Sequence, residues 1–82
     1  MSVPMAYALS LHVDQDLLAL GRAIGELRRR NLKVSAITLG PGADAGQARL
    51  TVIVDADEGT VEMAMRKLLK VSGVRGAMRE LQ

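Results

Sequence analysis

Residues 13–34, VDQDLLALGRAIGELRRRNLKV, decide the fold because they read as one amphipathic helix between two strands. Apolar side chains recur here every three or four residues, which is the spacing of a helix that buries one face. We therefore predict that one side of the helix lies in the core and carries Leu17, Leu20, Ala23, Ile24 and Leu27. The opposite side is predicted to be solvated and carries Arg22, Glu26, Arg28 and Arg29.

The two ends of this helix carry charges that suit its dipole. We predict Asp14 as the N-cap and Asp16 in the first turn, because carboxylates are favoured at the positive end of a helix. The arginines at 28–30 suit the negative end, and Asn31 can take the left-handed conformation that ends a helix.

Strands are predicted on both sides of the helix from period-two alternation. Tyr7, Leu9, Leu11 and Val13 alternate with polar or small residues before it. Residues 33–39 and 47–55 form two further strands, joined by the Gly- and Pro-rich turn at 40–46. An antiparallel hairpin is the simplest connection between them.

The last third of the chain repeats the helix-then-strand pattern. Asp57 or Thr60 can cap a second helix, whose apolar face carries Val61, Ala64, Met65, Leu68 and Leu69. Ser72 and Gly73 end it, and residues 74–81 form a fourth strand. The order βαββαβ predicts a ferredoxin-like α/β sandwich, an antiparallel four-stranded sheet with two helices on one face. All of residues 1–82 form one domain.

Size and composition predict an oligomer. The 82 residues contain no cysteine, no Phe or Trp and one Tyr, although 49% are hydrophobic, so the core is aliphatic and small. Dimerisation is a common way to complete such a core, and we expect a homodimer. The N-terminus lacks the features of a signal peptide and no apolar run could span a membrane, so we expect a cytoplasmic protein with no membrane partner.

The residue types disfavour catalysis, a metal site and nucleic-acid binding. The chain contains no Ser-His-Asp or Cys-His grouping, and Asp55 and Asp57 fit a turn. Three possible metal ligands, His12, Asp14 and Asp16, fit the end of a strand and a helix cap. Sheets of this topology that bind RNA display aromatic residues, and Tyr7 is the sole aromatic side chain. We predict no catalytic residue and no metal ligand.

Two further features predict packing and binding. Gly21 and Gly25 each cost about 1 kcal/mol of helix propensity relative to Ala, which indicates close packing of the helix on the sheet or a partner helix. We also expect the loop after the first strand to neighbour the start of the second strand. Free N–H groups at the helix start would suit a small carboxylate such as that of an amino acid.

Several short motifs resemble one known family. They are Arg22-Ala23-Ile24-Gly25, then Arg30, then residues 34–39 followed by Pro41, then residues 48–52, and finally Leu68, Lys70 and Val74. Over roughly residues 7 to 78 the chain resembles an ACT domain, and in particular the short regulatory small subunit of acetolactate (acetohydroxyacid) synthase.

The resemblance implies a function. Such subunits pair side by side into a continuous sheet, and they bind and activate the large catalytic subunit, which holds thiamine diphosphate. They bind no cofactor themselves and serve branched-chain amino acid biosynthesis. Many sense valine or another branched-chain amino acid at the dimer interface.

The effector residues that the resemblance implies are Gln15, Asp16, Leu17, Leu18, Lys33 and Val34. Three of them depart from the family pattern, which has Asn, Gly and Asn where this chain has Gln15, Leu18 and Lys33. A branched side chain at 18 fills space that a Gly leaves to the ligand, and a cation at 33 repels an ammonium group. We therefore expect weak or lost amino-acid sensing.

Alternative functions make different predictions. A free-standing ACT domain would sense an amino acid or another small metabolite and regulate some other protein. An RNA-binding module would show affinity that falls steeply with salt. Ile37, Leu39 and Ile53 are candidate partner contacts on the uncovered sheet face.

Overall fold

The elements follow the predicted order in a computed structural model that describes residues 4–30 and 32–82. They are β1 (Met5–Asp14), α1 (Leu17–Arg29), β2 (Lys33–Pro41), β3 (Gln47–Ala56), α2 (Glu58–Leu68) and β4 (Val74–Leu81). Asn31, the predicted end of the first helix, lies outside the described residues. No helix within the described residues is both long enough and apolar enough to cross a membrane.

The sheet is antiparallel throughout, with the strand order β2-β3-β1-β4. The predicted hairpin of β2 with β3 is confirmed, and a bulge at Ser35 interrupts its register. β2 and β4 are the two edge strands. The ferredoxin-like sandwich is therefore confirmed.

The core lies between the sheet and the helices and is almost wholly aliphatic. Alternate residues of the central strands are fully buried: Leu9, Leu11, Val13, Leu50, Val52 and Val54. The helices add mostly short side chains to it: Ala19, Ala23 and Leu27 from α1, and Val61, Ala64 and Leu68 from α2. Short side chains let the helix backbones lie close to the sheet.

The predicted buried face of α1 is partly wrong. Ala23 and Leu27 are buried and Leu20 is half-buried, but Leu17 is 87% exposed and Ile24 is 43% exposed. Ala19 lies on the inward side of the helix and packs closely on Gly73, where an added Cβ would lie 2.6 Å from the Cβ of Ala19. Only a small side chain fits at that contact, so the alanine side of the helix packs inward.

The N-cap of α1 is Asp16 and not Asp14. The Ala19 amide donates a hydrogen bond of 2.8 Å to Oδ1 of Asp16, whereas Asp14 ends β1. In α2 the Thr60 amide donates to Asp57, so of the two predicted caps Asp57 is the one used. The predicted basic C-terminus of α1 is confirmed by Arg28 and Arg29 in its last turn.

Candidate functional site

The β1–α1 loop is tied to both of its neighbouring loops through its backbone. The Asp14 amide donates to the Gly73 carbonyl oxygen at 2.8 Å, and the Gln15 amide donates to the Gly46 carbonyl oxygen at 2.9 Å. The Asp16 amide donates back to Asp14. The loop conformation is thus set by contacts at three successive residues.

The start of α1 is a poorer binding site for an anion than the sequence suggests. Asp16 places a carboxylate at the helix N-terminus and accepts from Ala19. Within the described residues the amides of Leu17 and Leu18 have no acceptor, but their side chains are 87% and 64% exposed and crowd the approach. A negative charge already in place disfavours a second carboxylate there.

Lys33 and Val34 do not lie beside this loop within one chain. Asp14 is opposite Gln47, at one end of β3, whereas Lys33 is opposite Asp55, near the other end. The strand rise puts these two positions roughly 26 Å apart. The structure thus divides the six candidate residues into two groups: 15–18 at the loop and 33–34 at the far end of the sheet.

An apolar recess of 220 Å³ separates α1 from the exposed edge strand β2. It is lined by Ile24, Leu27, Arg28, Leu32, Val34, Ile37 and Val52. No helix covers β2, so Val34, Ile37 and Leu39 remain 41–55% exposed. Their partners across the ladder are Val54, Val52 and Leu50 in the core, so these side chains extend the core face beyond α1.

This placement corrects the predicted partner contacts. Ile37 and Leu39 lie on the helix-bearing face, because paired residues of an antiparallel ladder point to the same side. Ile53 alternates with the buried Val52 and Val54, so it lies on the open face. The three residues therefore do not form one patch.

Apart from Ile53, the open face of the sheet carries mainly polar or small side chains. The Nε of Arg49 donates a 2.8 Å hydrogen bond to Oγ of Ser10, a buried hydroxyl of β1.

At the end of β1 that leads into the loop, Nε of Arg75 donates to Oδ1 of Asp14 at 2.9 Å. This hydrogen bond lowers the pKa of the Asp14 carboxyl and raises that of Arg75. Likewise the Thr60 amide lowers the pKa of Asp57.

The family model of the ACT domain matches residues 15–77 of the chain. The chain belongs to the ACT domain family. The matched range begins at the β1–α1 loop and ends within β4, so this ACT domain contains the loop, both helices and the β2 edge.

Two of the similar proteins are small subunits of acetolactate synthase. The ACT domain is 27% identical over 67 residues to a probable acetolactate synthase small subunit of Archaeoglobus fulgidus, covering 82% of this chain and 42% of that one. It is similar in fold to the acetolactate synthase small subunit from Thermotoga maritima, with a TM-score of 0.82 at 23% identity. That match covers 90% of this chain and 46% of the other. The chain thus spans less than half the length of both.

The fold is shared with ACT domains of other proteins. The ACT domain from the GTP pyrophosphokinase of Chlorobium tepidum superposes with a TM-score of 0.81 at 16% identity. This match covers 95% of the present chain and all of the other. Likeness in fold at this level of identity shows the architecture alone.

Sequence reasoning missed the apolar recess and the contrast between the two edges. β4 carries Arg75, Arg79 and Glu80, whereas β2 has no charge after Lys33. The uncharged run 34–41 was visible in the sequence. Its meaning depends on β2 being an edge strand that no helix covers.

Proposed function

We propose that this ACT domain is a non-catalytic regulatory subunit that binds and activates acetolactate synthase in branched-chain amino acid biosynthesis. The observation that carries the proposal is the similarity of the chain to an acetolactate synthase small subunit, together with the exposed edge β2, which has no charge after Lys33. Thiamine diphosphate would belong to the catalytic partner.

The homodimer would form through β2. Edge strands that must stay unpaired usually carry charges, as β4 does with Arg75, Arg79 and Glu80. β2 instead offers free main-chain groups and the exposed side chains of Val34, Ile37 and Leu39. Antiparallel pairing of two β2 strands would continue the sheet and cover the recess beside α1.

This dimer would also bring the two groups of candidate effector residues together. Antiparallel pairing lays the start of β2 beside the end of β2 in the second copy. The end of β2 lies across β3 from Val13 of β1, since Pro41 and Val13 both pair with Ala48. The turn that joins β2 to β3 contains Gly46, whose carbonyl oxygen accepts a hydrogen bond from the Gln15 amide. Lys33 and Val34 of one copy would then approach residues 15–18 of the other.

Amino-acid sensing at that site would be weak. The Asp16 carboxylate occupies the helix N-terminus, and Leu18 stands where an effector would need space. Lys33 adds a cation that repels an ammonium group. We infer a subunit that activates or assembles the enzyme with little feedback control.

The direct test is the carboligation activity of the large acetolactate synthase subunit from the same source, measured with and without this chain. We expect the activity to rise and the two proteins to co-purify. Titration calorimetry with valine, leucine and isoleucine should show no sub-millimolar binding. An unchanged activity, without co-purification, would refute the proposal.

A free-standing ACT sensor is the second candidate function. The match of residues 15–77 to the ACT domain family supports it as well as it supports the first candidate. This function predicts that a small metabolite stabilises the dimer while acetolactate synthase activity stays the same.

A further inference from the structure

The outer face of α1 exposes apolar side chains that the core does not use. This face, which we call the outer α1 face, comprises Leu17, Leu18, Gly21, Arg22, Gly25, Glu26 and Arg29. Together with Val71 and Ser72 it lines an open groove of 560 Å³. Leu17 and Leu18 are 87% and 64% exposed, a large apolar area for the surface of so small a domain.

The two glycines form the floor of the groove and pack closely against none of the described residues. A Cβ at Gly21 or Gly25 would meet no atom within 4 Å, so the predicted close packing on the sheet or on the other helix of the chain is wrong. Both residues lie about 160° around the helix from the buried Ala23. Each lowers helix propensity relative to Ala, and no contact within the described residues compensates.

The outer α1 face has a net positive charge, because it carries two arginines and one carboxylate. Arg22 and Arg29 form no salt bridge with the described residues, whereas Glu26 is held by Arg30 at 3.1 Å. The carboxylates of α2 are engaged elsewhere, because Arg79 pairs with both Glu58 and Glu62.

We propose that the outer α1 face docks an amphipathic helix of the partner enzyme that bears apolar residues and carboxylates. The glycine floor lets a second helix approach closely, the leucines supply apolar contact, and the arginines select an acidic flank. This inference rests on the proposed function.

A second copy of this chain is a poor occupant of the same surface. Two outer α1 faces packed together would bring four arginines close to one another, and the Glu26 carboxylate of each copy is already held by its own Arg30. The face also points away from the sheet, so pairing through β2 leaves it exposed. The partner enzyme is therefore the occupant to test.

The test uses two variants that fill or recharge the groove without touching the core. Gly21→Gln with Gly25→Gln places good helix formers on the floor, so the melting temperature should rise by about 5 °C or more. Binding to the large subunit of acetolactate synthase should nevertheless weaken by at least about tenfold. Arg22→Glu should weaken binding comparably and reduce its salt dependence.

Matched controls lie outside the groove, one on the open face of the sheet and one on α2. Met78→Gln replaces an exposed apolar side chain of β4, and Arg66→Glu reverses an exposed charge of α2, and neither should alter binding. Binding is measured by titration calorimetry and dimerisation by analytical ultracentrifugation, with a circular dichroism melt for each variant.

The outcomes separate this inference from the proposed function. If the natural chain does not bind the large subunit, the proposed function fails and this inference fails with it. If the natural chain binds and the groove variants bind equally well, the inference alone is overturned. Loss of the dimer in the groove variants would assign the face to self-association and would also overturn it.

Discussion

Gly46 and Gly73 both adopt a positive φ, but their surroundings differ. Gly46 has a φ of 80° and open space where a Cβ would stand, whereas at Gly73, with a φ of 96°, a Cβ would lie 2.6 Å from that of Ala19. Both carbonyl oxygens accept amides of the β1–α1 loop, from Gln15 and Asp14 respectively. An alanine at Gly46 therefore tests the cost of the left-handed backbone alone, whereas an alanine at Gly73 tests that cost together with a steric clash. The hydrogen bonds that the two carbonyl oxygens accept are similar.

Gly73→Ala should destabilise the chain more than Gly46→Ala. At Gly46 an alanine pays only for the left-handed conformation, about 1 kcal/mol of unfolding free energy. At Gly73 it must also displace Ala19 and with it the start of α1, so we expect a loss of about 2–4 kcal/mol. Urea unfolding of the two variants measures both losses. Equal losses would show that Ala19 yields without cost.

At the scale of the elements, β1 and β4 are held together next to the loop by the ion pair of Asp14 with Arg75. Nε and Nη2 of Arg75 each donate a 2.9 Å hydrogen bond to the carboxylate. Asp14 is the last residue of β1, and its carboxylate is directed to β4. Asp16, two residues later, is left to cap α1.

The pH dependence of stability should reflect this pair. Because Arg75 lowers the pKa of Asp14 in the folded state, the contribution of the pair is complete above the unfolded value of 3.8 and is lost as the pH falls through the lower folded value. Asp57, held by the Thr60 amide, acts in the same direction. Stability should therefore fall in acid.

Denaturant unfolding between pH 7 and pH 2 measures this loss. Asp14→Asn should reduce the dependence on pH in the acid range, and the double variant with Asp57→Asn should reduce it further. A slope identical to that of the natural chain would mean that other carboxylates control acid unfolding.

At the scale of the whole molecule, the two sheet edges differ in the way that predicts assembly. β4 is charged, and Arg79 is additionally held over α2 by Glu58 and Glu62. β2 has no charge after Lys33 and continues the core face past the edge of α1. β2 is therefore the edge at which the proposed dimer would pair.

Ile37→Lys should convert the proposed dimer into a monomer. The lysine would place a charge on the apolar strip of β2, next to the recess beside α1. Met78→Lys on β4 is the matched control, since Met78 is 62% exposed on the other edge strand. Sedimentation velocity should show a mass near 8.8 kDa for Ile37→Lys and twice that for the control. A dimer that survives Ile37→Lys but not Met78→Lys would place the interface on β4.

Local periodicity predicted the element order, the hairpin and the aliphatic core, because alternation and helical spacing depend on residues close in the chain. The motifs around Arg22, at 34–39 and at 48–52 were also enough to indicate the ACT family. The basic end of α1, and Asp57 as one of two candidate caps of α2, followed from neighbours within one helical turn.

Tertiary structure alone decided three other matters. The alanine side of α1, with Ala19 packed on Gly73, faces the core and leaves Leu17 exposed, and the pairing of Asp14 within the sheet leaves Asp16 as the cap. The strand register placed Lys33 far from the loop at Gln15. Each depends on a partner distant in sequence, whose position arises only when the sheet and helices pack.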